Sequence, residues 1–62
     1  MNKEALILYL DLMLETAKSF MILLNADEID EMKAWCQRNN CRYTYSHHNP
    51  EKTSYYYEIS HN

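Results

Sequence analysis

The chain of 62 residues contains no glycine, one proline and two cysteines. Without glycine it lacks the usual material of phosphate-cradling loops and strained nucleophile turns, which argues against the nucleotide-binding and hydrolase classes. A chain this short rarely encloses a substrate pocket, so we expect no enzyme activity and no catalytic residue. Two cysteines in a chain without an export signal are expected to be reduced cytoplasmic thiols.

The net charge is also small, at -3, and it is unevenly placed. Residues 1–35 carry seven acids and three lysines, whereas residues 36–62 carry two acids and three basic residues. An anion-facing surface would lie in the second half, although this excess is far below the basic footprint of nucleic-acid-binding domains. A hydrophobic share of 47% is too high for intrinsic disorder. We therefore predict a single small domain over residues 1–62, with too little core to be comfortably stable alone.

An apolar run follows Lys3 and could begin a signal sequence or a membrane span. Asp11, Glu15 and Lys18 interrupt this run, and no small-residue cleavage pattern follows it. Each of these charges costs roughly 2.5 to 3.5 kcal/mol near the centre of a bilayer. We therefore expect a cytoplasmic protein that makes no membrane contact.

The segment over residues 4–24 is rich in helix formers and predicts a first helix. Leucines at every second position from Leu6 to Leu14 allow a strand as the alternative, but the residues between them are apolar too, and leucine favours helix. The charges of this helix gather in one narrow wedge, so its apolar surface is wider than a single neighbour covers. We expect a homodimer to bury the surplus, through Leu6, Leu10, Met13, Ala17, Phe20 and Leu24.

A second helix is predicted over residues 26–39. Asn25 is a suitable N-cap, and Glu28 stands at the third helical position, where it would complete a capping box. At the other end, Asn39 or Asn40 is expected to adopt the left-handed conformation that stops a helix.

Beyond residue 40 the apolar pattern changes to a period of two, which predicts an antiparallel β-hairpin with strands over residues 41–48 and 53–60. The segment over residues 49–52 fits a type I turn, with proline at its second position. The predicted fold class is therefore α+β, with two N-terminal helices followed by a C-terminal antiparallel β-hairpin (ααββ) that dimerises through the first helix.

The register of the hairpin follows from its tyrosines. If they are to share one face, Tyr45 must lie opposite Tyr57, and Tyr43 must lie opposite Ile59. An isolated hairpin is marginal in water, so this face must pack on the helices or join a sheet in another subunit.

Six tyrosines exceed what a minimal core requires, and five of them lie between positions 43 and 57. The cluster could form the core face of the sheet, a protein-binding surface, or a stacking platform for nucleic-acid bases. Tyr56 points away from the face of Tyr55 and Tyr57, so at least one ring is expected to be exposed. The predicted partner-binding residues are Tyr56, Arg42, Tyr45, Tyr55, His48 and Lys52.

The two cysteines and three histidines are residue types that zinc favours. In the predicted register His47 lies roughly 20 Å along the strand from Cys41, so at most three ligands meet within one chain. We therefore expect no metal site and no cofactor, with Cys36 and Cys41 as small buried apolar residues.

No residue motif points to a named family, so the functional expectation is broad. We expect a non-catalytic homodimer that binds another protein and modulates or inhibits it, as small accessory proteins of phages and mobile elements often do. One alternative is a dimeric nucleic-acid-binding regulator that uses the Tyr, Arg and His residues of the hairpin. The other is a constitutive small subunit that docks into a larger complex through the first helix.

Overall fold

A computed structural model describes residues 2–49 and 54–62. The element order is α1 (Lys3–Thr16), β1 (Ser19–Asn25), α2 (Ile29–Arg38), β2 (Cys41–Asn49) and β3 (Ser54–His61). The three strands form an antiparallel sheet in the order β1-β3-β2. The α+β class is confirmed, but the sheet has three strands and is not a hairpin alone.

The first helix is shorter than predicted, because the last part of the expected helix, from Ser19 onward, is strand β1. The helix ends at Thr16, and Ala17 is already extended, with φ -144° and ψ 148°. β1 then pairs with β3 along its whole length, from Ser19 opposite Ser60 to Asn25 opposite Ser54. This pairing gives the hairpin a third strand, and it outweighs the modest helix preference of leucine. Within the described part of the chain, no helix is long and apolar enough to cross a bilayer.

The start of α2 contains the predicted capping box, in which the Asn25 N–H donates to Glu28 Oε1 at 2.9 Å. Residues 26–28 form a 3₁₀ turn, so the α-helix begins at Ile29 and not at residue 26. At the other end, Asn40 has φ 55°. The predicted left-handed stop is thus confirmed at Asn40.

The predicted hairpin register is confirmed for the first part of the ladder, where Tyr45 lies opposite Tyr57 and Tyr43 lies opposite Ile59. A β-bulge then shifts the pairing by one residue between Tyr45 and His47. Of the predicted turn, residues 50–52 lie outside the described residues.

Both helices contribute to one core on one face of the sheet, which we call the helix-side face. α2 packs on β2 and against α1. The core consists of Leu6, Leu10, Phe20, Ile22, Leu24, Met32, Trp35, Cys36, Cys41, Tyr57 and Ile59. The other face of the sheet, which we call the open face, carries the alternate residues of each strand, and no described helix covers it.

Candidate protein-binding surface

The open face contains a row of three residues that runs across the sheet, which we call the aromatic row. Leu23 of β1 lies opposite Tyr56 of β3, and Tyr56 lies opposite His47 of β2. The rings of His47 and Tyr56 are stacked, with centroids 4.2 Å apart and planes at 16°. Leu23 and the neighbouring Met21 are each 44% exposed. Apolar and aromatic side chains are therefore presented to solvent on one face of the sheet, with Leu23 and His47 exposed and Tyr56 half-buried between them.

The β-bulge in β2 creates this row. Without it, continuation of the ladder would place Ser46 opposite Tyr56 and would turn His47 toward the helix-side face. The shift moves His47 to the open face, where the Ser46 hydroxyl lies 3.0 Å from its Nδ1. It also places His48 on the helix-side face, opposite Tyr55.

The helix-side face also carries an aromatic cluster, at the end of the hairpin where β2 ends and β3 begins. His48 and Tyr55 are stacked there, with centroids 4.5 Å apart and planes at 13°. Nearby, the ring of Tyr45 meets buried Tyr57 edge-on at 5.6 Å, and Tyr45 is 51% exposed. The hairpin therefore presents aromatic rings on both of its faces.

The structure divides the predicted partner-binding residues between these two faces. Tyr56 and Arg42 belong to the open face, where the Arg42 Nε donates to Ser60 Oγ at 3.1 Å. Tyr45, Tyr55 and His48 belong to the helix-side face. Lys52 lies outside the described residues. The five described residues of this set do not form one surface, because the alternation of a strand and the bulge separate them.

The residues predicted to form a dimer interface are mostly packed inside the chain itself. Leu6 and Leu10 of α1 are buried in the core, together with Phe20 and Leu24 of β1. Met13 and Ala17 are half-buried. Most of the side chains expected at the dimer interface are thus covered by the chain's own core, whereas Leu8 and Leu12 of α1 stay exposed.

Among the described residues, five exposed large hydrophobic side chains were absent from the predicted site, namely Tyr43 and four aliphatic residues. Leu8 and Leu12 lie one turn apart on α1 and are 69% and 59% exposed, and Met21 and Leu23 lie on the open face. The sequence carried no clear signal for the last two, because Ser19–Asn25 is apolar throughout except at its ends. The alternation of buried and exposed residues in this strand belongs to the folded chain.

A shallow groove of about 500 Å³ lies beside the exposed part of α1. Lys3, Glu4, Ile7 and Leu8 line it from α1, and Glu31 lines it from α2. Lys3 Nζ forms an ion pair with Glu31 Oε1 at 2.9 Å. The groove thus joins apolar helix surface to a charged rim.

Cys36 and Cys41 are buried free thiols. Burial, with a smaller contribution from the nearby Cys41, raises the pKa of Cys36 to about 11, and burial also raises the pKa of Cys41. Thiols held in their protonated form are poor nucleophiles and poor metal ligands at neutral pH. Among residues 2–49 and 54–62, no three His, Cys, Asp or Glu side chains are grouped so that they could hold a metal ion.

Comparison with known proteins gives no match to any protein-family model, curated protein or solved structure.

Proposed function

We propose that this chain is a small, non-enzymatic, cytoplasmic protein-binding module that modulates or inhibits a partner protein and acts as a homodimer. The observation that carries the proposal is the open face. There the stacked rings of Tyr56 and His47 lie beside half-exposed Leu23 and Met21, and no described element covers them.

The physical properties of the aromatic row suit a protein interface. Tyrosine contributes a large contact area with few rotatable bonds, so little conformational entropy is lost when it binds. The stack with His47 holds the Tyr56 ring in one orientation before any partner arrives. Polar residues border the row on one side, as in part of the rim of a typical interface. Thr44 and Glu58 lie in the next row of the open face, and Ser19, Arg42 and Ser60 lie in the row beyond it.

A nucleic-acid partner is supported less well by the charges of this face. Arg42 is its one described cation, and the guanidinium is bonded to Ser60. Glu58 lies in the next row, between Met21 and Thr44. A phosphate backbone would meet a carboxylate as well as a guanidinium, and the attraction that dominates nucleic-acid affinity would be small.

The exposed apolar surface of α1 supports the alternative of a constitutive small subunit. Leu8 and Leu12 form a short exposed apolar stripe, and the groove beside Leu8 extends it toward Glu31. A helix of a larger complex could pack on this stripe with the i, i+4 spacing that helix pairs use. Docking into a larger complex through α1 is therefore the second candidate function.

The test uses two tyrosine variants on opposite faces of the hairpin. Tagged wild-type protein, Tyr56→Ala and Tyr45→Ala are used to capture partners from a nuclease-treated lysate, and each is melted by circular dichroism. We expect Tyr56→Ala to lose the captured protein with little change in Tm, and Tyr45→Ala to retain it.

If Tyr45→Ala loses the captured protein and Tyr56→Ala retains it, the binding site lies on the helix-side face. Equal loss of capture and of Tm in Tyr56→Ala would show that Tyr56 serves the fold. A parallel capture from untreated lysate serves as a control. If it recovers nucleic acid and no protein, the result favours the alternative of a nucleic-acid-binding regulator.

A further inference from the structure

The two edges of the sheet differ in how well they are protected against pairing with another strand. β2 forms one edge, and its bulge, its arginine and its two histidines all hinder a further strand from joining there. β1 forms the other edge, with the sequence Ser-Phe-Met-Ile-Leu-Leu-Asn over Ser19–Asn25. This strand has no charge, no proline and no register shift in its ladder with β3.

The direction of the backbone groups at this edge follows from one backbone hydrogen bond. The His61 N–H donates to the Lys18 carbonyl at 3.2 Å, so these residues form a hydrogen-bonded pair of the antiparallel ladder. Such pairs recur at every second residue, and Phe20, Ile22 and Leu24 therefore bond toward β3. The N–H and C=O groups of Met21 and Leu23 point outward, away from the sheet.

We propose that a second copy of this chain pairs with the β1 edge, antiparallel and about a two-fold axis at Ile22. Met21 of one copy then exchanges backbone hydrogen bonds with Leu23 of the other, and the overlap covers the seven residues of the strand. The product is one continuous six-stranded sheet, in the order β2-β3-β1-β1-β3-β2. Closed pairing of this kind removes the exposed edge that a single chain leaves.

The side chains of the strand complement themselves in this register. On the helix-side face, Phe20 lies opposite Leu24 of the second copy, so two apolar side chains meet there, each already buried in the core of its own chain. On the open face, Met21 lies opposite Leu23 of the second copy. Two aromatic rows thereby become parts of one surface, which doubles the area that a partner protein could contact.

Charges at the two ends of β1 also favour an antiparallel copy. Lys18 precedes the strand and Asp27 follows it, and both are exposed. Antiparallel pairing about Ile22 places each Lys18 opposite residue 26 of the other copy, next to its Asp27. Two copies of a chain with a net charge of -3 repel each other overall. At the β1 edge this repulsion is reduced, because Lys18 lies near Asp27 of the other copy and no like charges meet there.

This inference rests on the proposed homodimer and places its interface at the β1 edge. The test is sedimentation of the wild type, Met21→Pro and Met21→Val at increasing concentration, with amide hydrogen exchange read at residues 21 and 23. Proline at position 21 removes an outward N–H and no bond to β3, whereas valine keeps that N–H. We expect the wild type and the valine variant to dimerise, with slowed exchange at both amides, and the proline variant to dimerise at least about tenfold more weakly.

A charge-swap series tests the same register without touching the strand. Lys18→Glu should weaken dimerisation by about three- to tenfold, and addition of Asp27→Lys should restore it. These positions are exposed, so the series remains decisive if Met21→Pro does not fold.

A wild type that is a folded monomer at high micromolar concentration would overturn both this inference and the proposed homodimer. A dimer in which the amides of residues 21 and 23 exchange as fast as in the monomer, and whose affinity does not change with the charge swap, would overturn only the pairing at the β1 edge. It would place the dimer interface on another surface, such as that of Leu8 and Leu12.

Discussion

The indole Nε1–H of Trp35 donates a hydrogen bond to Oδ1 of Asp11, 2.9 Å away, and this bond joins α2 to α1. Trp35 is 1% exposed and is the largest fully buried side chain among the described residues. In the sequence, Asp11 stands out as the charge that interrupts an apolar run. In the fold, the same carboxylate accepts the polar hydrogen of the core tryptophan.

Removal of that acceptor should therefore destabilise the protein. Asp11→Ala leaves a buried indole N–H without its partner, and we expect a loss of about 1–2 kcal/mol in the free energy of unfolding. Asp11→Asn keeps an oxygen acceptor and should lose less. Glu15→Ala, at an exposed position on the same helix, should change stability by less than about 0.5 kcal/mol. Urea denaturation measures all three, and equal effects of Asp11→Ala and Glu15→Ala would show that the bond contributes nothing.

Two neighbouring residues of β1 should respond very differently to truncation. Ile22 is buried on the helix-side face, whereas Met21 is half-exposed on the open face. We expect Ile22→Ala to cost about 2–4 kcal/mol, because it leaves a cavity in the core, and Met21→Ala to cost less than about 1 kcal/mol. Denaturation at low chain concentration separates folding from association. Similar losses at the two positions would contradict the strand assignment of this segment.

The buried thiol of Cys36 should make stability depend on alkaline pH. Its pKa is raised from 9.0 to about 11 by burial, with a smaller contribution from Cys41. Between these two values the unfolded chain loses the thiol proton while the folded chain keeps it, so stability falls as pH rises. We expect the wild type to lose more stability than Cys36→Ala between pH 9.0 and about 11, as measured by urea denaturation. Parallel pH profiles of the two proteins would contradict the shift.

Local signals in the sequence predicted a large part of this fold. The capping box at Asn25 and the left-handed Asn40 depend on only a few neighbouring residues, and both were predictable. The pairing of Tyr45 with Tyr57 followed from the demand that the tyrosines share one face. Each of these features is decided by residues close in sequence or by a strict period.

The features that the sequence left hidden depend on distant parts of the chain. Ser19–Asn25 is uniformly apolar except at its ends, so its period of two is visible only once β3 selects the face that is buried. The bulge at Ser46 has no glycine or proline to mark it. Because the site depends on both features, the open face and its aromatic row could not be assembled from the sequence. Only the direction of Tyr56, away from Tyr55 and Tyr57, was predictable; its ring is half-buried, and the exposed tyrosines are Tyr43 and Tyr45.

The most direct test of the protein-binding proposal uses methionine methyl groups as reporters. Met21 lies on the open face, Met13 lies on α1, and Met32 is buried in the core. Protein labelled at its methionine methyls is titrated with the purified captured partner at constant chain concentration, and the shifts are followed by NMR. We predict a saturating shift of the Met21 methyl signal, with those of Met13 and Met32 nearly unchanged. Saturation that leaves Met21 unmoved and shifts Met13 would contradict the open face as the binding surface and would place the partner on α1.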